Sequence, residues 1–326
     1  MIWLRIVLEL VIGFAILAWS ADRFILASSA IAKHFKMPPL VIGMLLVGFG
    51  TSFPELVISA LASLHGSSGL AIGNVLGSNI ANVGLVIGVT ALIMPMVIHS
   101  KILKREFPIM IVFTLIVGAL LINDVLSRLD GFILLLMLFG YLFWVLQVAK
   151  KENHVEKDEM TREFESEIPA DMKLSKAFVW WFIGLILLLV SSELVVDGAT
   201  LIAKLLHISD LVIGLTIVAI GTSLPELAAS VMSVIRKEND IAIGNIVGSN
   251  IFNLLAVLTV PALIAPGQLP AHALTRDYPT MLGFTLVFWI LPFLWPNKGK
   301  ISRASGLFLT FSYFAYLAYL VISTAV

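Results

Sequence analysis

Long apolar runs separated by short polar breaks dominate the chain. A bilayer-spanning helix needs about 20 apolar residues. By that measure the pattern predicts ten, at 2–32, 39–65, 70–98, 108–122, 130–149, 177–203, 209–235, 240–265, 279–296 and 304–325. One extended polar segment, KKENHVEKDEMTREFESEIPADMK from Lys150 to Lys173, parts them five and five. It mixes both signs of charge and includes Pro169, so it reads as a solvated linker, too short for a folded sensor domain. The expected division is a first five-helix unit at 1–149, a linker at 150–176 and a second unit at 177–326. No small-residue cleavage signature follows the apolar N-terminus, which is expected to be a first span and not a removed leader.

Composition agrees with the pattern. The 326 residues are 59% hydrophobic and 13% charged, with a mean hydropathy of +1.02, whereas soluble domains carry about 25% charged residues. The class is therefore an all-α membrane protein in a lipid bilayer. Formal net charge is zero and no basic run suits nucleic acid. The absence of cysteine excludes disulfides and thiolate metal sites.

Lys and Arg orient the spans. Alternate loops hold Lys33 and Lys36; Lys101, Lys104 and Arg105; six between Lys150 and Lys176; Arg236 and Lys237; and Lys298, Lys300 and Arg303, which is 16 of the chain's 21 basic residues. The other side has Arg5, Arg128, Lys204 and Arg276. The expectation is a cytoplasmic linker with both termini away from the cytoplasm.

The chain is also written twice. GTSFPEL at Gly50–Leu56 returns as GTSLPEL at Gly221–Leu227, and GNVLGSNIAN at Gly73–Asn82 returns as GNIVGSNIFN at Gly244–Asn253. Matched residues are 171 positions apart throughout, from Pro54 and Pro225 to Asn82 and Asn253. Five spans per copy is an odd number, so the copies cross the membrane in opposite directions. That is the inverted-repeat plan of secondary transporters, with a midplane site between repeats. Pro54 breaks the second span, and the glycines of the GN motif are expected to break the third in the same way, so spans 2, 3, 7 and 8 are read as broken.

Spacing then concentrates oxygen. Thr51 and Glu55 are four apart, as are Ser78 and Asn82, so each pair shares a helix face; Thr222 with Glu226 and Ser249 with Asn253 repeat this. Ser52 and Ser223 lie beside them, and no Lys or Arg is among them. An all-oxygen set with two carboxylates suits a hard cation such as Ca2+ and suits transition metals poorly. Ser52 and Glu55 also match a capping box, but capping does not require an acid at mid-membrane. A charge there costs about 3 kcal/mol or more. Asp22, Glu193 and Asp197 are expected to pair locally, Asp22 with Arg23; His65 is expected to be solvated, and Trp180 and Trp181 suit an interfacial belt.

These motifs resemble those of the sodium/calcium exchanger family, the cation/Ca2+ antiporters with paired alpha-repeats, in its prokaryotic form. The resemblance covers nearly the whole chain, with both motifs in order, twice. It implies ten helices, with spans 2, 3, 7 and 8 around a cluster of cation sites and spans 1 and 6 sliding across them. It implies metal-ligating roles for Thr51, Ser52, Glu55, Ser78 and Asn82, and for Thr222, Ser223, Glu226, Ser249 and Asn253. Carbonyls near Gly48 and Ala219 would complete the sodium positions. The implied activity is Na+/Ca2+ exchange by a monomer in a prokaryotic cytoplasmic membrane, with Na+ and Ca2+ as transported ions, no cofactor and no enzymatic step. Some relatives have Asp where this chain has Asn253, which leaves two acids here and no suggestion of a potassium site.

Three other readings are weaker. Ca2+/H+ exchangers of similar fold usually place Glu after the GN motif, where this chain has Val75 and Ile246. A cation channel would ring a pore with its oxygens, instead of burying one pseudo-symmetric site. A hydrolase would need a nucleophile and base, and neither GxSxG nor HExxH occurs.

Overall fold

The structure, a computed structural model, describes residues 2–98, 100–152, 172–206, 219–294 and 299–325. Most of the expected linker, and the start of the span expected at 209–235, lie outside the described residues. The elements are almost all helical. α1 is Ile2–Phe35; α2, Pro39–Thr51, and α3, Phe53–Leu64, form a pair bent by 42°; α4 is Ser68–Ile93. α5 is Ser100–Leu121 and α6 is Arg128–Glu152. The second half supplies α7, Leu174–Leu205, the short α8, Ala219–Thr222, and α9, Leu224–Ile235. It continues with α10, Asn239–Ile264, α11, Tyr278–Ile290, and α12, Arg303–Ala325.

Among the described residues, six helices are long and apolar enough to cross a membrane (α1, α4, α6, α7, α10 and α12), and the bent pair α2–α3 makes a seventh. α5 has the length, but its opening turns carry Lys101, Lys104, Arg105 and Glu106. It runs straight through Pro108, where a helix start was expected. α11 has 13 residues before a tighter turn at Leu291–Phe293.

Spans 3 and 8 are not broken. α4 and α10 each run for 26 residues through their glycines, departing from α-geometry only in π-helical turns at Asn82–Ile87 and Asn253–Val257. In α10 the glycines serve close packing. A Cβ on Gly244 would lie 2.5 Å from the Leu40 carbonyl, and one on Gly248 would lie 2.6 Å from the Met44 backbone. Small residues let helices approach where lipid supplies no hydrophobic drive between them.

Two bodies emerge. α1 and α7 pack along their length, touching through Gly13 and Gly184, which are 171 apart: a Cβ on either would come within about 3 Å of Val195 or of the Phe24 backbone. Four of the five buried serines of this pair bond their own helices, Ser20 to Leu17 and Ser28 to Phe24 on α1, and Ser191 to Leu188 and Ser192 to Leu189 on α7. The second body is a continuous apolar core drawn from α2, α4, α5, α6, α9, α10, α11 and α12. Gly50 and Gly221 mark where the bodies meet. A Cβ on Gly50 would touch Leu185 and Phe24, and one on Gly221 would strike Val196.

Short antiparallel ladders tie the halves at the ends of the helices. β1 (Met96–Val97) pairs with β4 (Lys300–Ile301), and β2 (Val125–Leu126) pairs with β3 (Gly267–Gln268). The loop after α4 therefore lies with the loop before α12, and the loop after α5 with the loop after α10. Backbone copies backbone even where residues differ. The turn after α3 places Gly66 at φ 75°, and the turn after α9 places Lys237 at φ 62°. Outward faces are apolar, as with Phe132, Leu136, Phe139 and Phe143 along α6, while Glu55, Glu226, Asn82 and Asn253 are buried. That inversion suits a lipid solvent.

Candidate cation site

The two GTS motifs make the same turn. Ser52 sits at φ −83°, ψ 8° between α2 and α3, and Ser223 at φ −91°, ψ 3° between α8 and α9. Pro54 and Pro225 lie in the first turn that follows. Proline has no N–H, so the chain bends there without losing a bond the new helix could have kept. Glu55 and Glu226 are thereby held in the first turn of α3 and α9, 1% and 0% exposed. Ser52 does not cap α3: its hydroxyl donates to Glu226 Oε1 at 3.1 Å, across 174 residues of sequence. The capping-box reading of Ser52 fails, because its hydroxyl serves the other half's carboxylate.

Three more of the expected residues make contacts across this region, and the others lie on the elements packed around it. Ser78 on α4 faces Glu55 Oε1 at 3.5 Å, a slack contact for a hydroxyl. Thr51 donates to Asn245 Oδ1 at 3.1 Å, and Ser249 on α10 donates to the Gly48 carbonyl at 3.2 Å. Asn82 and Asn253 open the two π-helical turns, and both are buried. Ser223 is buried, while Thr222 is half-buried at the end of α8. The Gly48 carbonyl is not freed by the break, because it also accepts the Ser52 N–H at 3.1 Å. Ala219 opens α8.

Among the expected site residues five buried oxygens have no hydrogen-bond partner: Glu55 Oε2, Glu226 Oε2, Asn82 Oδ1, Asn253 Oδ1 and Ser223 Oγ. The first four form two pairs in the 171-residue register. Buried acceptors are normally satisfied, and leaving one unpaired costs about 1–3 kcal/mol, more for a charged group. Ser52 and Ser78 donate to the two carboxylates, and the Thr51 hydroxyl also reaches Glu226. Two acids, two amide oxygens and neighbouring hydroxyls form a set of hard donors that a cation would complete.

Sequence reasoning passed over four amides in the same motifs. Asn74 donates to the Glu55 carbonyl and to Ser59 Oγ, each at 3.1 Å. Asn245 repeats this with the Glu226 carbonyl at 3.2 Å and Ser230 Oγ at 2.9 Å. They clamp the first turn of α3 to α4 and of α9 to α10. Asn79 and Asn250 stand behind Asn253 and Asn82. The signal was available, since all four recur at matched positions in the two copies.

Outside the site, one expectation changes. Asp22 pairs with Arg236 at the end of α9, at 2.5 Å, and not with Arg23. The Arg23 guanidinium instead lies over Trp19 and Trp180, 5.8 and 5.9 Å from the ring centres. Trp181 packs on Phe24 within the α1–α7 contact. His65 is exposed, as expected.

Known proteins share both sequence and architecture with this chain. The profile of the family described as sodium/calcium exchanger protein matches residues 6–147 and 176–322. Inner membrane protein YrbG of Escherichia coli is 43% identical over 311 residues, 95% of each chain. Sodium/calcium exchanger MaX1 of Methanosarcina acetivorans is 33% identical, covering 96% of this chain and 97% of its own. A solved structure of the sodium-calcium exchanger NCX_Mj, soaked with zero Na+ and Ca2+, superposes with a TM-score of 0.82 at 33% identity, covering 98% of this chain and all of that one. The chain is a member of the sodium/calcium exchanger family.

Proposed function

We propose that this chain exchanges Na+ for Ca2+ across a membrane by alternating access. One observation carries the reading: two buried carboxylates, one from each sequence copy, keep an oxygen without a donor, and so do two amides on the π-helical turns that pack against the helices bearing them. Family membership and the likeness to NCX_Mj support it. The ions are held by Glu55, Glu226, Asn82 and Asn253, with hydroxyls from Thr51, Ser52, Ser78, Thr222, Ser223 and Ser249 turning to offer lone pairs. The frame is ten transmembrane helices in two inverted five-helix repeats, 1–149 and 177–326, joined by a cytoplasmic linker, with both termini on the far side. The α1–α7 pair moves against the core in a monomer of the cytoplasmic membrane.

Obligatory exchange follows from charge. An empty site with two carboxylates cannot cross a low-dielectric interior, because each uncompensated charge carries a desolvation penalty of several kcal/mol. One Ca2+ or two Na+ neutralise it, so only loaded forms switch sides. The test is radiolabelled Ca2+ uptake into proteoliposomes preloaded with Na+, K+ or choline. Uptake only from Na+-loaded vesicles is expected. Uptake driven by a pH gradient without sodium would transfer the reading to Ca2+/H+ exchange.

A further inference from the structure

The four unassigned contacts behind the site form two relays of the same design. Asn82 Nδ2 donates to Asn250 Oδ1 at 3.0 Å, and Asn250 Nδ2 faces Met110 Sδ at 4.0 Å. Asn253 Nδ2 donates to Asn79 Oδ1 at 3.4 Å, and Asn79 Nδ2 faces Met281 Sδ at 3.5 Å. Asn82 and Asn253, Asn79 and Asn250, and Met110 and Met281 are each 171 residues apart. Each relay also crosses between the halves, so that a site amide of one copy is held by an amide of the other. All four amides are at most 2% exposed.

We propose that Asn79 and Asn250 are positioning residues that fix which end of the opposite site amide faces the cation. A primary amide can present either its oxygen or its NH2 in nearly the same volume, because its terminal torsion is roughly two-fold. An NH2 turned toward Na+ or Ca2+ would repel it. A thioether accepts weakly and cannot donate, so Met110 and Met281 draw the NH2 of the amide they face. That leaves the oxygen of Asn250 for the NH2 of Asn82, and the oxygen of Asn79 for that of Asn253. The free oxygens of Asn82 and Asn253 are the two left without donors. The sense of the amide is thus passed from sulfur to site, twice. This inference rests on the exchanger reading, because it needs a cation for the amides to face.

The experiment measures equilibrium binding of radiolabelled Ca2+ to purified protein, with Na+ as competitor, alongside Na+-driven uptake. Asn250→Leu and Asn79→Leu should each raise the half-saturating Ca2+ concentration about tenfold, the equivalent of one hydrogen bond's net contribution. Their maximal binding should be unchanged. The effect must pass through the partner. In an Asn82→Ala background, Asn250→Leu should change half-saturation by less than twofold, while in an Asn253→Ala background it should keep its full effect. A merely structural role would act equally in both backgrounds. If Asn250→Leu does not purify as a monodisperse species, Asn250→Thr, which is polar but too short to reach Asn82, carries the same expectation. Unchanged half-saturation in the single variants, or equal effects in both backgrounds, overturns the positioning role and leaves the exchanger reading intact. A parent protein without saturable, Na+-competed Ca2+ binding overturns both.

Discussion

Replacing Glu226 with Gln separates charge from shape at the centre of the site. Glu226 is fully buried on α9 and accepts a hydrogen bond from Ser52 at 3.1 Å. In the proposed exchanger the loaded parent is neutral, with one Ca2+ against two carboxylates. In Glu226→Gln the same load leaves one positive charge in excess, which costs about 3 kcal/mol or more at mid-membrane. If that cost falls on the crossing step, Ca2+ exchange drops at least about 100-fold. A single Na+, however, neutralises the remaining Glu55. The variant should therefore retain Na+/Na+ exchange while losing Ca2+ exchange. The assay compares radiolabelled Na+ and Ca2+ fluxes in matched proteoliposomes, after checking that the variant is monodisperse. Equal loss of both fluxes would refute the charge argument, and Ca2+ exchange within threefold of the parent would remove Glu226 from the site.

The close approach of α10 to α2 predicts that Gly248→Ala, whose Cβ would lie 2.6 Å from the Met44 backbone, destabilises by about 1–3 kcal/mol. Gly140→Ala, with nothing within 4 Å, should be neutral or better, and equal melting temperatures in detergent would contradict this packing. The Asp22–Arg236 pair is about 30% exposed on each side, so Asp22→Asn should cost no more than about 1 kcal/mol in a thermal melt. A larger loss would mean a buried charge was stranded. Because the chain has no cysteine, single cysteines report topology directly. Those at His65 and Gln268 should react with an impermeant maleimide in intact cells and one at Lys300 should not, whereas labelling of all three would refute the two-faced arrangement.

Much of this molecule was legible before any coordinates, because its two copies check each other. Polar residues that survive in both, such as Glu55 with Glu226 and Asn82 with Asn253, stand out against an apolar background where nothing else fixes position. Helix boundaries were legible for the same reason that Pro and charge end a lipid-facing run. What escaped lies in ambiguities of residue type. Glycine signals a break or a close contact equally well, and at Gly244 and Gly248 it marks contact. The π-helical turns leave no composition mark, since Asn82–Ile87 reads as ordinary helix. The opening of α5 reads as a loop in the sequence because it is charged, but Arg105 pairs with the buried Glu106 and lies over Trp144, so its charge is held within the helical body. Asp22 was assigned to its neighbour because the distance to Arg236, 214 residues away, exists only in three dimensions.

Four buried serines of α1 and α7 have a mechanical consequence. Ser20, Ser28, Ser191 and Ser192 all direct their hydroxyls to carbonyls of their own helix, and the motif glycines Gly50 and Gly221 remove side chains from the facing surface. Contacts of this kind behave as a bearing. Dispersion attraction varies little as smooth surfaces slide, whereas each lateral hydrogen bond would act as a tooth to be lifted at every step. In the proposed movement the Asp22–Arg236 pair, which links α1 to the end of α9, is a catch on that track. The charge state of the cargo, and not lateral hydrogen bonds from these four serines, would then set when the track is free to move.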